Sequence, residues 1–317
     1  MEKLTYEDIE KAYQLIKPYL PATPLVSSYY LGDEECKYFF KLENLQEVKS
    51  FKIRGALSKM LSLSEAQKAK GIAAISSGNH GISVSCAAKM LGIEKVKIYV
   101  PKITPKSKIE KIQYFGAQAV LIGDNYDQAH HLGLAEIEKE GLTFIDFDKE
   151  VYAGQGSIAI EILTQNPEID TIVVPIGGGG LITGIAVAAK AIKPDIRIIG
   201  VQTAACPAMI KSYEDGVHYA EYPSESSLCE ALIGGVDQLS YEMVKDYVDE
   251  ILAVSEKSIA QAVSFLITQE KIVAEAASCT TIAAVKDYAA QIGGKKIALV
   301  LSGGNIDGEM IKKILYQ

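Results

Sequence analysis

The chain has 317 residues, of which 48% are hydrophobic and 23% are charged, and its net charge is −8. This composition is close to that of ordinary globular proteins and excludes a disordered or fibrous chain, and the length suffices for one large α/β domain or two moderate ones sharing a cleft. The negative charge and the lack of any run of Lys and Arg argue against nucleic-acid binding and favour a small solute as the partner.

The N-terminal residues 1–16 alternate charged and apolar side chains at helical spacing and lack the apolar block of a secretory signal. We therefore expect a helix here and no export. The next stretches, TPLVSSYYLG and YFFKLEN, have the pattern of two strands separated by a turn.

From Gly71 onward, short apolar strands alternate with helical stretches. GIAAISS precedes the helix GISVSCAAKMLG, KVKIYVP precedes PKSKIEKIQYFG, and AQAVLIG precedes YDQAHHLGLAEIEKEG, after which LTFID has the pattern of a further strand. Such alternation predicts a parallel sheet.

The alternation resumes with the helix GQGSIAIEILTQ, the strand TIVVPIG, the helix LITGIAVAAKAI and the strands RIIGVQT and KKIALVLSGGN. Residues 171–189 are uncharged, but Pro175 and four consecutive glycines interrupt them, which indicates strand, turn and helix rather than a membrane span. We predict a small inserted domain over 67–147 and a larger domain made of 1–66 and 148–317.

Four turns rich in glycine or serine lie at the ends of predicted strands or between strand and helix. They are SFKIRG at 50–55, SSGNHG at 76–81, GGGG at 177–180 and SGGN at 302–305. Ligands of open parallel sheets collect at the carboxyl ends of the strands, so convergence of these turns would define one site.

The four-glycine turn is the clearest ligand signal. Glycines permit close approach of the backbone, and the helix that follows presents free N–H groups and a positive dipole end, which favours an anion such as phosphate. A tight packing turn is the alternative, and the glycine run alone does not decide between the two.

Lys52 and the SSGNHG loop carry the remaining chemical groups. Lys52 lies between Phe51 and Ile53, and an amine with apolar neighbours can be desolvated and attack an aldehyde, although most lysines are simply solvated. The loop offers backbone N–H groups, hydroxyls, an amide and an imidazole that could bind a carboxylate, whereas the plain alternative is a helix cap at Ser77 or Asn79.

Together the motifs resemble the fold-type II pyridoxal-phosphate enzymes, in particular the serine/threonine dehydratase family that also contains serine racemase. The resemblance runs through TPLV, SFKIRGA, SSGNHG, AGQGSIAIEI, PIGGGGLITGIA and LSGGN, in the family's order and over nearly the whole chain. It implies an α/β fold like that of the tryptophan synthase β subunit, with two open parallel-sheet domains and pyridoxal 5′-phosphate (PLP) in the cleft between them.

The resemblance also implies a role for each site residue. Lys52 would hold PLP as a Schiff base and take the α-proton, Ser77 would act on the opposite face of the ring, and Ser302 would face the pyridine nitrogen. The remaining residues expected to bind the cofactor are Phe51, Asn79, Gly177, Gly178, Gly179, Gly180 and Leu181. The residues expected to bind the substrate carboxylate are Ser76, Ser77, Asn79 and His80.

The implied reaction is β-elimination from a small hydroxy amino acid such as L-threonine or L-serine, giving a 2-oxo acid and ammonia. Ser77 keeps amino-acid racemisation open as an alternative. SLCEALIGGV, where many threonine dehydratases have an alanine-aspartate-glycine turn, resembles a subgroup linked to ectoine degradation, so 3-hydroxyaspartate or an ectoine-pathway intermediate is also an open substrate.

Other departures concern metals and regulation. Relatives bind a divalent cation through carboxylates where this chain has Gln202 and Ala208, and neither the five dispersed cysteines nor the four histidines form a ligand pattern, so we expect no metal. We expect reduced thiols in the cytoplasm and no regulatory domain after LSGGN. The resemblance implies a homodimer or homotetramer.

Two rival functions come from other classes. Residues 154–159 satisfy the G-x-G-x-x-A pattern of nicotinamide cofactor sites, but polar residues separate them from the preceding strand and no acidic residue follows at the required distance. A binding protein that kept the scaffold without catalysis is the second rival. The presence of Lys52, Asn79 and Ser302 together favours an enzyme.

Overall fold

The computed structural model of the chain describes residues 2–316 and comprises two units. The larger unit contains the residues up to Glu10, Ala22–Phe51 and the chain from Gln155 onward, and the smaller unit contains Lys11–Pro21 and Lys52–Gly154. The chain therefore passes from the larger to the smaller unit at the peptide bond after Phe51. The domain limits of 67 and 147 that the sequence suggests stay a prediction.

The secondary structure comprises ten strands and thirteen α-helices over the described residues 2–316. The strands are β1 Leu25–Gly32, β2 Lys37–Leu42, β3 Ile72–Ile75, β4 Val96–Val100, β5 Gln118–Leu121, β6 Thr143–Phe144, β7 Thr171–Pro175, β8 Arg197–Thr203, β9 Glu250–Val254 and β10 Lys296–Leu301. The helices are α1 Tyr6–Ile16, α2 Lys52–Ser62, α3 Glu65–Ala69, α4 Asn79–Met90, α5 Lys106–Tyr114, α6 Tyr126–Glu140, α7 Lys149–Gln165, α8 Gly180–Ile192, α9 Ala208–Asp215, α10 Gln238–Tyr247, α11 Glu256–Phe265, α12 Ala276–Ile292 and α13 Gly308–Leu315.

The larger unit is built on a six-stranded sheet with the order β1-β2-β10-β7-β8-β9. Only β1 pairs antiparallel, and the other neighbours are parallel. All five residues of β7 are buried, as an uninterrupted apolar run in a sheet covered on both faces predicts. The helices α11 and α12 pack with the sheet into one apolar core.

The smaller unit contains a parallel four-stranded sheet with the order β5-β4-β3-β6. Its strand β3 has the small residues IAAI, all buried, and α6 packs against β3 and β4. The side chain of Asn125 caps the start of α6, and Gly141, with φ of 66°, ends it.

The parallel α/β class is confirmed, as is the interpretation of residues 171–189 as strand, turn and helix. Within residues 2–316, no helix has the length and apolar character needed to cross a membrane. The G-x-G-x-x-A pattern lies inside α7 rather than in a turn after a strand. A Cβ at Gly154 would clash with the carbonyl oxygen of Arg54, so helix packing explains this glycine.

Candidate cofactor and substrate site

The serine turn, residues 302–305, follows β10 and is tied to the segment that leads to Lys52. Ser50 and Gly303 form an antiparallel bridge. Three further hydrogen bonds hold the two segments together: Phe51 N–H to Ser302 O at 2.9 Å, Gly304 N–H to Lys49 O at 2.8 Å, and Asn305 Nδ2–H to Val48 O at 2.9 Å. Because Lys52 is the next residue, its Cα is fixed by covalent geometry about 3.8 Å from that of Phe51.

The Ser302 hydroxyl is buried and has a hydroxyl partner. Its side chain is 3% exposed, and its Oγ lies 3.1 Å from Oγ of the fully buried Ser278 in the first turn of α12. Ser278 Oγ–H also reaches Gly303 O at 2.8 Å, and Gly303 N–H donates to Ser278 Oγ at 2.8 Å. The turn therefore presents a neutral hydroxyl pair at the end of the strand.

Lys52 is the first residue of α2 and is partly buried. Its Nζ lies 4.6 Å from the centre of the Phe147 ring, within the range of a cation–π contact. The His80 ring packs on the same phenyl group, with 4.6 Å between the ring centroids. Phe147 therefore brings Lys52 and His80 into one cluster in the smaller unit.

The SSGNHG loop opens α4 without a side-chain cap. Gly78 occupies the N-cap position and no side chain accepts a hydrogen bond there, so neither Ser77 nor Asn79 plays the plain capping role. Ser76 Oγ instead accepts the Gly78 N–H at 3.2 Å. Helix ends of this kind attract anions because their N–H groups lack intrahelical partners.

His80 is neutral and its hydrogen-bond roles are fixed. Its side chain is buried, and Nε2 lies 3.0 Å from Ile145 O, a carbonyl that can only accept, so Nε2 carries the proton. Burial, together with the nearby positive charge of Lys52, lowers the pKa of His80 to about 4. The imidazole N–H is thereby occupied by its hydrogen bond to Ile145 O.

The four-glycine turn follows β7 and opens α8. Gly179 is the N-cap, its φ is 102°, and no side chain caps the helix. That φ lies in the left-handed region, which glycine adopts without strain. The first N–H groups of α8, including that of Leu181, have the character of an anion site.

The same turn is also tightly packed on one side. A Cβ at Gly178 would lie 2.8 Å from Asp237 Oδ2, and one at Gly179 would lie 2.5 Å from Ser240 Cβ. A Cβ at Gly177 would approach Ala231 O to 3.2 Å. Both interpretations of the glycine run therefore have structural support: the turn must be small to pack, and it presents uncapped N–H groups.

Gln202 has a structural partner. Its Oε1 accepts the Met209 N–H at 3.0 Å and the Ile210 N–H at 3.1 Å, so the amide caps the start of α9. Among residues 2–316 no group of three or more His, Cys, Asp or Glu side chains is arranged to hold a metal ion.

Comparison with known proteins decides the family. The model for the family "Pyridoxal-phosphate dependent enzyme" matches residues 16–303. The chain belongs to this family. An L-threonine ammonia-lyase from Thermotoga maritima is 41% identical over 98% of this chain and 78% of its own length, and the catabolic L-threonine dehydratase TdcB of Escherichia coli is 40% identical over 97% and 95%.

Solved structures agree in fold. Maize serine racemase superposes with a TM-score of 0.90 at 32% identity, covering 99% of this chain and 98% of that one. Processed threonine deaminase isoform 2 from Solanum lycopersicum gives a TM-score of 0.91 at 29% identity, covering 98% and 92%. These two structures therefore share the α/β architecture of this chain.

The residues present fit PLP. Its phosphate requires a cluster of N–H donors, which the uncapped start of α8 after Gly179 offers. Its aldehyde requires a primary amine such as that of Lys52. Its ring requires a partner for the pyridine nitrogen, and the buried Ser302 hydroxyl can serve as donor or acceptor.

Sequence reasoning missed two residues of these clusters. Phe147 was not singled out, and nothing in its local sequence distinguishes it from an ordinary apolar residue. Ser278 lies in the stretch AASCTT, which has the character of a plain helix start, and its partner Ser302 is 24 positions away along the chain. Neither residue carries a signal in a single sequence, because each role arises from a non-local contact.

Proposed function

We propose that this chain is a PLP-dependent ammonia-lyase that converts a small β-hydroxy amino acid, L-threonine or L-serine, to a 2-oxo acid and ammonia. The observation that carries the proposal is the pairing of Phe51 with the serine turn: the residue before the predicted Schiff-base lysine donates its N–H to Ser302, the predicted partner of the cofactor ring. The substrate follows from relatives that are about 40% identical over nearly the whole chain and are named for threonine.

PLP, when bound, supplies an aldehyde that captures the substrate amine and a conjugated ring that stabilises negative charge at the α-carbon. A neutral hydroxyl at Ser302 does not hold a proton on the ring as an aspartate does. We propose that the chain thereby limits the lifetime of that charge, which favours prompt loss of the β-hydroxyl.

The chain's own residues have the following proposed roles. Lys52 Nζ would hold the cofactor through its aldehyde and would accept the α-proton of the substrate. Gly177–Gly180 and Leu181 bind the cofactor phosphate through backbone N–H groups, and Asn79 donates to the phenolic oxygen. Phe51 and Ser302 contact the cofactor ring.

The substrate carboxylate is bound at the start of α4 by Ser76, Ser77, Asn79 and the backbone N–H of His80. The start of α4 supports this proposal, because no side chain caps the helix at Gly78 and the positive end of the helix dipole favours an anion. The neutral His80 supports it as well, since a proton held on Nε2 by Ile145 fixes the loop's geometry across the neutral pH range. The substrate is thereby oriented without a charged side chain.

Racemisation is the second candidate, and one observation favours it. Ser77 is partly exposed and not used as a helix cap, so its hydroxyl is available to deliver a proton to the opposite face of the α-carbon. Against it, the racemase neighbour is 32% identical, compared with about 40% for the threonine enzymes. We place elimination first.

We further propose that the chain forms a homodimer or homotetramer and that it works in the cytoplasm. The lack of disulfides among the cysteines of residues 2–316 supports the proposed compartment.

The test uses purified protein reconstituted with PLP and a panel of β-hydroxy amino acids: L-threonine, L-serine, 3-hydroxyaspartate and a larger homologue. Both 2-oxo acid and the opposite enantiomer are measured. Threonine is expected to give the highest kcat/KM for 2-oxo acid. A preference for another member of the panel, or enantiomer without 2-oxo acid, would overturn the substrate or the reaction respectively.

The matched variant is Lys52→Ala, with Lys106→Ala as control because the Lys106 side chain is 89% exposed. Borohydride reduction followed by peptide mass mapping should attach the cofactor to Lys52 in the parent and in the control. Loss of deamination in Lys52→Ala, with an unchanged circular dichroism spectrum, is the expected result. Turnover near the parent rate would refute the assignment.

A further inference from the structure

A chain of three hydrogen-bond donors ends at the Ser302 hydroxyl. Gly303 N–H is an obligate donor and points at Ser278 Oγ at 2.8 Å, so this oxygen must accept there. Ser278 then has one proton to give and two candidate acceptors, Gly303 O at 2.8 Å and Ser302 Oγ at 3.1 Å.

The first of these acceptors, Gly303 O, already has another hydrogen-bond donor. Gly303 O accepts the Glu275 N–H at 3.0 Å, so it stays hydrogen-bonded whichever way the Ser278 proton points. The Ser302 hydroxyl is 3% exposed, and it gains an internal donor only from Ser278 among the contacts described above. The pair can therefore reorient without leaving a buried carbonyl unsatisfied.

We propose that Ser278 is a positioning residue for the cofactor: it donates to Ser302, so that Ser302 donates its own proton to the pyridine nitrogen. This inference rests on the proposed function, in which Ser302 faces that nitrogen. The direction of donation runs from Gly303 N–H through Ser278 and Ser302 to the ring. Each link polarises the next, so the relay makes Ser302 a better donor than an isolated hydroxyl.

The relay transfers no charge and breaks no covalent bond. It keeps the ring nitrogen unprotonated but hydrogen-bonded, a state that neither an apolar residue nor a carboxylate at position 302 would give. Ser278 thus acts on the cofactor only through Ser302, which sets it apart from a residue that merely stabilises the start of α12.

The experiment is a double-mutant cycle with Ser278→Ala, Ser302→Ala and the double variant, each reconstituted with PLP labelled with ¹⁵N in the ring. Two quantities are measured at pH 8: the ¹⁵N resonance of the bound cofactor and its dissociation constant. Neither depends on turnover of threonine, so failure of the relay is distinguishable from failure of the proposed reaction.

Ser278→Ala is expected to move the ¹⁵N resonance toward that of a pyridine nitrogen without a donor and to weaken cofactor binding about threefold to tenfold, the effect of losing one hydrogen bond. In the Ser302→Ala background the same change should leave the ¹⁵N resonance in place and alter the dissociation constant by no more than about twofold, because Ser278 no longer has Ser302 as an acceptor. Ser278→Thr, which keeps the hydroxyl, should restore the ¹⁵N resonance of the parent.

The matched control is Thr280→Val in the same helix. Thr280 is also fully buried, and its hydroxyl donates to Ala277 O at 2.9 Å, so its loss removes a comparable hydrogen bond that does not touch Ser302. The control should leave the resonance unchanged. If Ser278→Ala does not fold, Ser278→Cys, which keeps the shape but donates weakly, takes its place.

An unchanged ¹⁵N resonance in Ser278→Ala, or a shift toward a protonated ring, overturns the relay. Equal effects of Ser278→Ala in the parent and in the Ser302→Ala variant overturn it too, because they assign Ser278 a purely structural role.

Discussion

Acid should destabilise the protein through His80, and the change that tests this is His80→Gln. Burial, the Lys52 charge and the hydrogen bond to Ile145 O together leave His80 with a pKa of about 4, whereas an unfolded histidine has the ordinary value of 6.5. Between these values the unfolded chain binds more protons than the folded one. The free energy of unfolding therefore falls as the pH drops from 6.5 toward 4.

The magnitude follows from the two pKa values. Integrating the proton uptake of one group from pH 7.5 to pH 4.5 gives a loss of about 2.5 kcal/mol in unfolding free energy, since each pKa unit corresponds to about 1.4 kcal/mol. Glutamine at position 80 retains a donor for Ile145 O but does not titrate. His80→Gln should therefore lose about 2.5 kcal/mol less than the parent over this interval.

Urea unfolding at a series of pH values measures the difference, and ¹⁵N spectra of the imidazoles measure the pKa directly. The sequence contains four histidines, so the variant identifies the His80 signal by its disappearance. His131→Gln is the matched control, because this side chain is exposed. Parallel pH profiles for the parent and His80→Gln, or a His80 signal that titrates near pH 6.5, would show that the reasoning is wrong.

Three further substitutions test the site and its support. Gly179→Ala should lower the unfolding free energy by about 2–4 kcal/mol, because alanine is strained in the left-handed region and its Cβ would lie 2.5 Å from Ser240 Cβ. The same variant should weaken PLP binding. The control Gly216→Ala, with φ of 66° and no atom near the added Cβ, should lower the unfolding free energy by only about 1 kcal/mol in urea unfolding. Lys41→Met should cost about 3–5 kcal/mol, because it leaves the buried Glu161 carboxylate without its ammonium 2.5 Å away; adding Glu161→Gln should recover much of that loss in the same assay. Ser77→Ala should impair any racemisation far more than elimination from the L-isomer, and equal loss of both in a folded protein would count against Ser77 as the opposite-face base.

Local signals in the sequence explain why much of the architecture was predictable. The apolar run of β7, the glycine turn and the start of α8 are contiguous, so their pattern alone predicts strand, turn and helix. The same holds for the short strands of the smaller unit. The first strand pair was also predicted, since its β-branched and aromatic residues flank a glycine turn.

The sequence pattern assigns no elements to residues 204–294, because the structure of this region depends on distant partners. The start of α9 is held by Gln202 from the preceding strand, and the segment at Leu228 is anchored by the Glu256 carboxylate, which accepts the Leu228 N–H at 2.7 Å. Neither contact leaves a periodic pattern in the sequence. The roles of Phe147 and Ser278 went unrecognised for the same physical reason.

The two helix starts at Gly78 and Gly179 show how one architecture can serve two anions. The helices α3, α6, α11 and α13 are capped by their own Ser, Asn or Asp side chains. The helices α4 and α8 are among those whose N-cap residue provides no side-chain cap, and both begin after a glycine. The absence of a side-chain cap lowers the stability of a helix by about 1 kcal/mol unless another acceptor reaches its first N–H groups.

The proposed reaction supplies two such acceptors: the phosphate of the cofactor for α8 and the carboxylate of the amino acid for α4. Binding of either anion should then stabilise the helix that receives it, so PLP should protect the first turn of α8 from hydrogen exchange, and a substrate-like amino acid should add protection at α4. If the ligands protect only other elements from hydrogen exchange, the two helix starts do not bind the anions, and the glycines serve packing alone.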